Sequence, residues 1–258
     1  MPNFRGYIFD LDGTVYLGEK AIPGASETIA ELRKRGCGVV FLSNKPLQRR
    51  PAYAEKLTHL GIPTSPDQVI NSSLVLARYL AREMPGATVF AIGEPPLLDE
   101  LAAAGLRLGQ TPAEIEVVVA SFDRTFDYRK LDIGFQALRR GARFLATNAD
   151  PTCPVEEGEI PDAGAVIGAL DGCSGRKVEL VVGKPSSLIV EIALKQLGLP
   201  AEACLVVGDR LETDILMGRR AGMSTALVLS GVTRKEDLVH SAVQPDYVLE
   251  SIADLPFD

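Results

Sequence analysis

Short apolar runs rich in β-branched residues alternate along this chain with amphipathic stretches that stop at glycine, and that alternation limits the folds open to it. Residues 7–9, 39–42, 89–92, 117–120, 144–146, 178–182, 205–207 and 226–229 read as strands. Residues 25–35, 51–60, 73–82, 96–104, 128–140, 188–197 and 214–221 read as helices, and Gly36, Gly61, Gly105, Gly141, Gly198 and Gly222 stand where helix C-caps belong. Strand and helix in turn predict an α/β fold with a doubly wound, mainly parallel sheet. With 258 residues the chain can bury roughly three quarters of its unfolded surface and needs no metal or disulfide to hold it together.

Composition removes other classes. Hydrophobic residues make up 46% and charged residues 24%, which excludes collagen, coiled coil and wholesale disorder. The net charge of −7 disfavours a general nucleic-acid binder, because phosphate backbones attract basic surfaces. Cys37, Cys153, Cys173 and Cys204 form no CxxC pair, and the two histidines, His59 and His240, make a zinc site improbable. No apolar run reaches 18 residues, and Met1-Pro2-Asn3-Phe4-Arg5-Gly6 lacks the pattern of a signal peptide. Reduced thiols in a cytoplasmic protein are expected.

In an open α/β sheet, ligands bind at the carboxyl ends of the strands, so the residues that follow each strand carry the functional information. Asp10-Leu11-Asp12-Gly13-Thr14, Ser43-Asn44-Lys45, Gly183-Lys184-Pro185 and Gly208-Asp209-Arg210-Leu211-Glu212-Thr213-Asp214 are four such tips. Asp10 and Asp12 can face one site only if the chain leaves the strand there, which Gly13 permits. Close carboxylates repel unless a cation lies between them or one is protonated, which suits a hard divalent ion. A chance surface pair, or the DxD of a metal-dependent glycosyltransferase, fits those two residues equally well. Lys184 reads as a loop lysine or as a fixed ammonium beside a carboxylate or phosphate. Ser43 and Asn44 cap a helix or hold phosphate oxygens. Asp209 and Asp214 read as a helix cap or as a further metal carboxylate with its support. Thr147-Asn148 echoes Ser43-Asn44 at the end of a later strand.

Taken in order, the four tips resemble the haloacid dehalogenase superfamily of phosphotransferases, over nearly the whole chain. The segments Ala146-Thr147-Asn148-Ala149-Asp150 and Val182-Gly183-Lys184-Pro185-Ser186 look like its large α/β-cap branch of p-nitrophenyl, nucleotide, pyridoxal-phosphate and arabinose-operon sugar phosphatases. Lys45 and Pro161-Asp162-Ala163-Gly164 depart from that branch's usual pattern. The resemblance implies a Rossmann-like catalytic core, residues 1–84 and 179–258, with an inserted cap, residues 85–178. It implies a Mg²⁺-dependent phosphomonoesterase in which Asp10 attacks phosphorus, Asp12 is acid and base, and Lys184 neutralises charge. Asp10, the Asp12 carbonyl and Asp209 would hold Mg²⁺, with Asp214 in support. Gly13, Ser43 and Asn44 would bind phosphate, and Asn148 and Asp150 the rest of the substrate.

The expected partner is a small phosphorylated metabolite, with neither nucleic acid nor membrane, and a homodimer is allowed. Residues 147–166 contain no Phe, Tyr or Trp but offer Thr147, Asn148, Asp150, Thr152, Glu156, Glu157, Glu159 and Asp162. That favours sugar phosphates over nucleotides or pyridoxal phosphate, which need stacking. Tyr16 and Phe122 are the rings that could reach the pocket and reverse this preference. A non-catalytic phosphometabolite-binding module is the alternative from another class, but it predicts loss of Asp10 or Asp12, and both are present.

Overall fold

The computed structural model describes residues 4–155 and 158–257, so the readings of residues 1–3, Glu156 and Glu157 fall outside it. Among the described residues no helix is long and apolar enough to cross a membrane. The chain divides into two compact units, one of Met1–Ser43, Arg50–Ile70 and Lys184–Asp258, the other of Asn44–Arg49 and Asn71–Gly183.

The first unit is built on a six-stranded sheet in the order Tyr247–Leu249, Ser224–Val228, Cys204–Gly208, Gly6–Asp10, Gly38–Ser43, Val69–Asn71. The four pairings from Tyr247–Leu249 to Gly38–Ser43 are all parallel. Tyr7, Phe9, Val39, Phe41, Leu205 and Val207 pack with Ile29 and Leu32 of the helix Ala25–Lys34. Ile8, Val40 and Val206 alternate onto the opposite face and are buried as well. A sheet covered on both faces reads as continuous apolar runs, which is why these strands were legible.

The second unit holds a five-stranded parallel sheet in the order Leu180–Val181, Arg143–Ala146, Val117–Ala120, Thr88–Ile92, Arg107–Leu108. Phe90, Ile92, Val118, Phe144, Val166 and Leu170 form its core.

Three features differ from the sequence expectation. The run 178–182 was read with the strands of the core, but only Leu180–Val181 is extended, and it pairs with Arg143–Ala146 at an edge of the second sheet. Glu179 commits it there, accepting from Arg143 Nε at 2.9 Å and from the Phe144 N–H at 3.2 Å. Residues 147–166, read as a loop, contain an antiparallel hairpin of Thr152–Val155 and Gly158–Pro161. They then enter the helix Ala163–Ser174, whose three glycines and largely apolar character hid its period. The units also change over at Ile70/Asn71 and Gly183/Lys184, while the sequence placed the boundaries at 84/85 and 178/179. The helix Ser72–Glu83 packs against Pro95–Ala103, which draws it into the second unit.

Within the second unit Asp123 pins the loop after Val117–Ala120. Its buried carboxylate accepts from Lys130 Nζ at 2.6 Å, from the Thr125 N–H at 2.9 Å and from the Thr125 hydroxyl at 2.7 Å. Burial pushes its pKa up, but the bonds from Lys130 and Thr125 outweigh burial and hold it below the ordinary 3.8. A carboxylate depressed in the folded state adds stability above its unfolded pKa and loses it as pH falls through the folded value. The melting temperature should therefore fall on acidification below about pH 4. Asp123→Asn should remove that share of the slope and cost about 2 kcal/mol at neutral pH, as read by denaturant unfolding.

Candidate active site

Asp10 is the last residue of the strand Gly6–Asp10, and its neighbour Cys204–Gly208 ends one residue before Asp209. Parallel pairing of these two strands brings Asp10 and Asp209 to the same edge of the sheet. After Gly208 the chain makes a widened π-helical turn, Leu211–Ile215, where a regular helix was expected, before continuing as Leu216–Arg220. That turn brings Asp214 into the group. Asp10, Asp209 and Asp214 each offer a carboxylate oxygen, and these oxygens all lie within 4.8 Å of one another.

Lys184, joined to Pro185 by a cis peptide bond, completes the group. Its ammonium donates to Asp10 Oδ1, and to Asp214 Oδ1 at 2.6 Å. All four side chains are buried. Asp214 Oδ2 also accepts the Arg210 N–H at 3.2 Å.

Charge is unbalanced here: three carboxylates face one ammonium. Burial raises the Asp10 pKa well above its ordinary value, with Asp214 and Asp209 adding to the shift and Lys184 opposing it. Burial and the charge of Asp214 push Asp209 up to about 6. Burial works to lower the Lys184 pKa, but Asp10 and Asp214 outweigh it and hold the ammonium above its ordinary value. Asp209 Oδ1 is buried with no hydrogen-bond partner. An unsatisfied buried carboxylate oxygen beside two other carboxylates fits a hard divalent cation, which takes oxygen ligands.

The remaining site residues fall into two groups. Ser43 is buried at the end of the strand Gly38–Ser43, whose Leu42 pairs with Asp10. Gly13 has φ +88°, a left-handed conformation that lets the chain turn sharply after Asp12. The Asp12 carboxylate is partly exposed and is not among the three clustered carboxylates. Asn44, Asn148 and Asp150 come together in the second unit. Asn44 Nδ2 donates to Asp150 Oδ2 at 3.1 Å, and Asn148 Nδ2 donates to the same oxygen at 2.8 Å and to Asp162 Oδ1 at 3.0 Å. The Thr147 hydroxyl donates to Asn148 Oδ1, and the Ser72 hydroxyl to the Asn44 carbonyl. Burial, with the charge of Asp150 adding, raises the Asp162 pKa against the pull of the Ala163 N–H and the Asn148 amide.

Sequence reasoning missed the loop after Ser224–Val228. The Val232 N–H donates to Asp209 Oδ2 at 2.7 Å, and the Ser230 hydroxyl donates to the Gly13 carbonyl at 2.7 Å. The available signal was Ser230-Gly231 just after a strand, the same small-residue exit seen at the other tips.

Removing Lys184 would leave Asp10 and Asp214 buried against each other. Lys184→Met should lower unfolding free energy by about 3–5 kcal/mol in chelator, read by urea denaturation.

Three comparisons bear on this arrangement. Residues 7–107 match the model of the haloacid dehalogenase-like hydrolases, and residues 181–255 match a HAD-hydrolase-like model. The chain is similar to the sugar-phosphatase AraL of Bacillus subtilis, at 41% identity over 97% of this chain and 91% of that protein. It is similar to the 5'-nucleotidase YutF of Bacillus subtilis, at 35% identity over 98% of each. Its fold is similar to that of the p-nitrophenyl phosphatase from Archaeoglobus fulgidus, with a TM-score of 0.93 and 37% identity over 98% of both chains.

Proposed function

The chain belongs to the haloacid dehalogenase-like hydrolases and is a phosphoric monoester hydrolase acting on small phosphoesters, and on that premise we propose that Asp10 is its nucleophile and sugar phosphates its substrates. The observation that carries this reading is the buried cluster of Asp10, Asp209 and Asp214 with a single ammonium, Lys184.

Lys184 engages Asp10 Oδ1, and in this reading Oδ2 is the attacking oxygen. The Asp10 Oδ2–P bond forms as the bond from phosphorus to the leaving oxygen breaks. Asp12, in its protonated form, gives its proton to that oxygen. Asp12 then takes a proton from water as the water oxygen bonds phosphorus, the Asp10–P bond breaks and inorganic phosphate departs. The partial exposure of Asp12 suits a group that must meet both leaving group and water. Ser43 and the Gly13 turn hold phosphate oxygens in this reading. Asp10, Asp209 and the Asp12 carbonyl would hold Mg²⁺, with Asp214 in support, and the ion would supply the positive charge that lets a carboxylate approach a phosphate dianion. The first unit then acts as the catalytic core and the second as the cap.

The preference for sugar phosphates rests on what the second unit offers. Its 147–166 segment has no aromatic residue. Tyr16 and Phe122, the two rings with reach from the sequence, are each 2% exposed and are packed into the interior. Asn44, Asn148, Asp150 and Asp162 form a polar group suited to hydroxyls rather than to a stacked base.

Asp10→Asn should fold normally and release no phosphate above background in a Mg²⁺-containing assay. Residual Mg²⁺-dependent turnover would remove Asp10 from the nucleophile role. Asp12→Asn should lose more activity on alkyl than on aryl phosphates, because only the alkyl leaving group needs the acid. Across a panel in one buffer, a pentose or hexose phosphate should give the highest kcat/KM. A nucleotide or pyridoxal phosphate ahead by tenfold, about 1.4 kcal/mol in transition-state stabilisation, would overturn the substrate assignment.

A further inference from the structure

We propose that the loop Ser230–Thr233 is a positioning clamp for the metal site, fixing which oxygen Asp209 presents to the cation; the proposal rests on the Mg²⁺ reading above. Four contacts support it. The Val232 N–H donates to Asp209 Oδ2 at 2.7 Å, and the Thr233 N–H donates to the Asp209 carbonyl at 3.1 Å. One carboxylate oxygen is thereby occupied by the backbone, and the other, Oδ1, is left buried and unsatisfied. The Ser230 hydroxyl donates to the Gly13 carbonyl at 2.7 Å, so the same loop also holds the turn that follows Asp12.

The fourth contact is steric. A Cβ on Gly231 would collide with Asp209 Oδ2 and lie 2.5 Å from the Asp209 Cβ and Cγ. A Cβ on Gly13 would lie 2.6 Å from the same Oδ2 and 2.9 Å from the Gly231 Cα. Asp209 therefore stands between two bare backbones, and any side chain at either position displaces its carboxylate. Val232 is 50% exposed, so the loop acts on Asp209 through its main chain rather than through that side chain.

A carboxylate can rotate about its Cβ–Cγ bond, and a cation site gains affinity when that rotation is already frozen. The Val232 bond and the Gly231 contact freeze it. The side-chain and backbone bonds of the loop go to Asp209 and to the turn after Asp12, so its effect should fall on metal affinity.

The test is calorimetric titration of Mg²⁺ into chelator-stripped full-length protein, with far-UV circular dichroism as the check on folding. Asp209→Asn serves as the reference for loss of the site. Gly231→Ala should raise the Mg²⁺ Kd at least about tenfold. Ser230→Ala should raise it about fivefold, the worth of one hydrogen bond, and Ser230→Thr should restore the wild-type value. Should Gly231→Ala fail to fold, the Ser230→Ala and Ser230→Thr pair decides the matter. If Asp209→Asn abolishes binding while both loop variants bind Mg²⁺ as the wild type does, or if threonine gives no rescue, the clamp is wrong and the metal site stands. If wild-type protein shows no Mg²⁺ binding that Asp209→Asn removes, the Mg²⁺ reading falls and the clamp falls with it.

Discussion

A lysine ammonium buried between two carboxylates, Lys184 between Asp10 and Asp214, is the interaction on which the rest of the site depends. Desolvating a charge is costly, and the attraction to its partners offsets that cost only when geometry is good and the remaining lone pairs are satisfied. Here the balance is incomplete. Asp209 adds a third carboxylate, and its Oδ1 has no partner. The sheet forces this, because Gly6–Asp10 and Cys204–Gly208 pair in parallel and release their charged residues side by side. The protein thus folds into a local deficit of positive charge. Such a place attracts a cation and raises the affinity of whatever carboxylate arrangement can hold one.

Much of this was legible in the sequence, for physical reasons that can be named. Asp10 and Asp209 stand at the ends of neighbouring parallel strands, which release such positions at one edge of the sheet. Buried strands announce themselves as apolar runs, so residues 7–9, 39–42, 117–120 and 205–207 were found within one or two positions of the observed elements. What was not legible depended on partners remote in sequence. Leu180–Val181 is apolar enough for either sheet, and its ladder with Arg143–Ala146, together with the bonds of Glu179 to Arg143 and Phe144, decides between them. The Ser230–Thr233 loop acts through backbone N–H groups and a bare Cα, which leave no side-chain signature. The π-helical turn at Leu211–Ile215 keeps a helical composition while changing where Asp214 points.

Asn44 shows how one position can be read two ways. It follows Ser43 directly, and a phosphate role followed from that adjacency. Its amide donates to Asp150, its carbonyl accepts from Ser72, and it belongs with the second unit. The peptide between Ser43 and Asn44 is therefore a point where the chain changes units, and a side chain on each side of it answers to a different set of neighbours. Adjacency in sequence identified the pair but not the allegiance of its second member.

The division of the chain also governs the order in which it can be made. Gly6–Asp10 is central in its sheet, yet its neighbour Cys204–Gly208 leaves the ribosome about 200 residues later, a delay on the order of 10–40 s at typical rates of synthesis. The second unit, by contrast, is complete at Gly183. During that interval Tyr7 and Phe9 sit on a strand with one open edge, the condition that favours wrong pairing between chains. Nascent protein of this architecture therefore passes through a stage in which its later-numbered sheet is whole and its first strand is still waiting, and helpers that shield exposed apolar segments have their moment before residue 208 emerges.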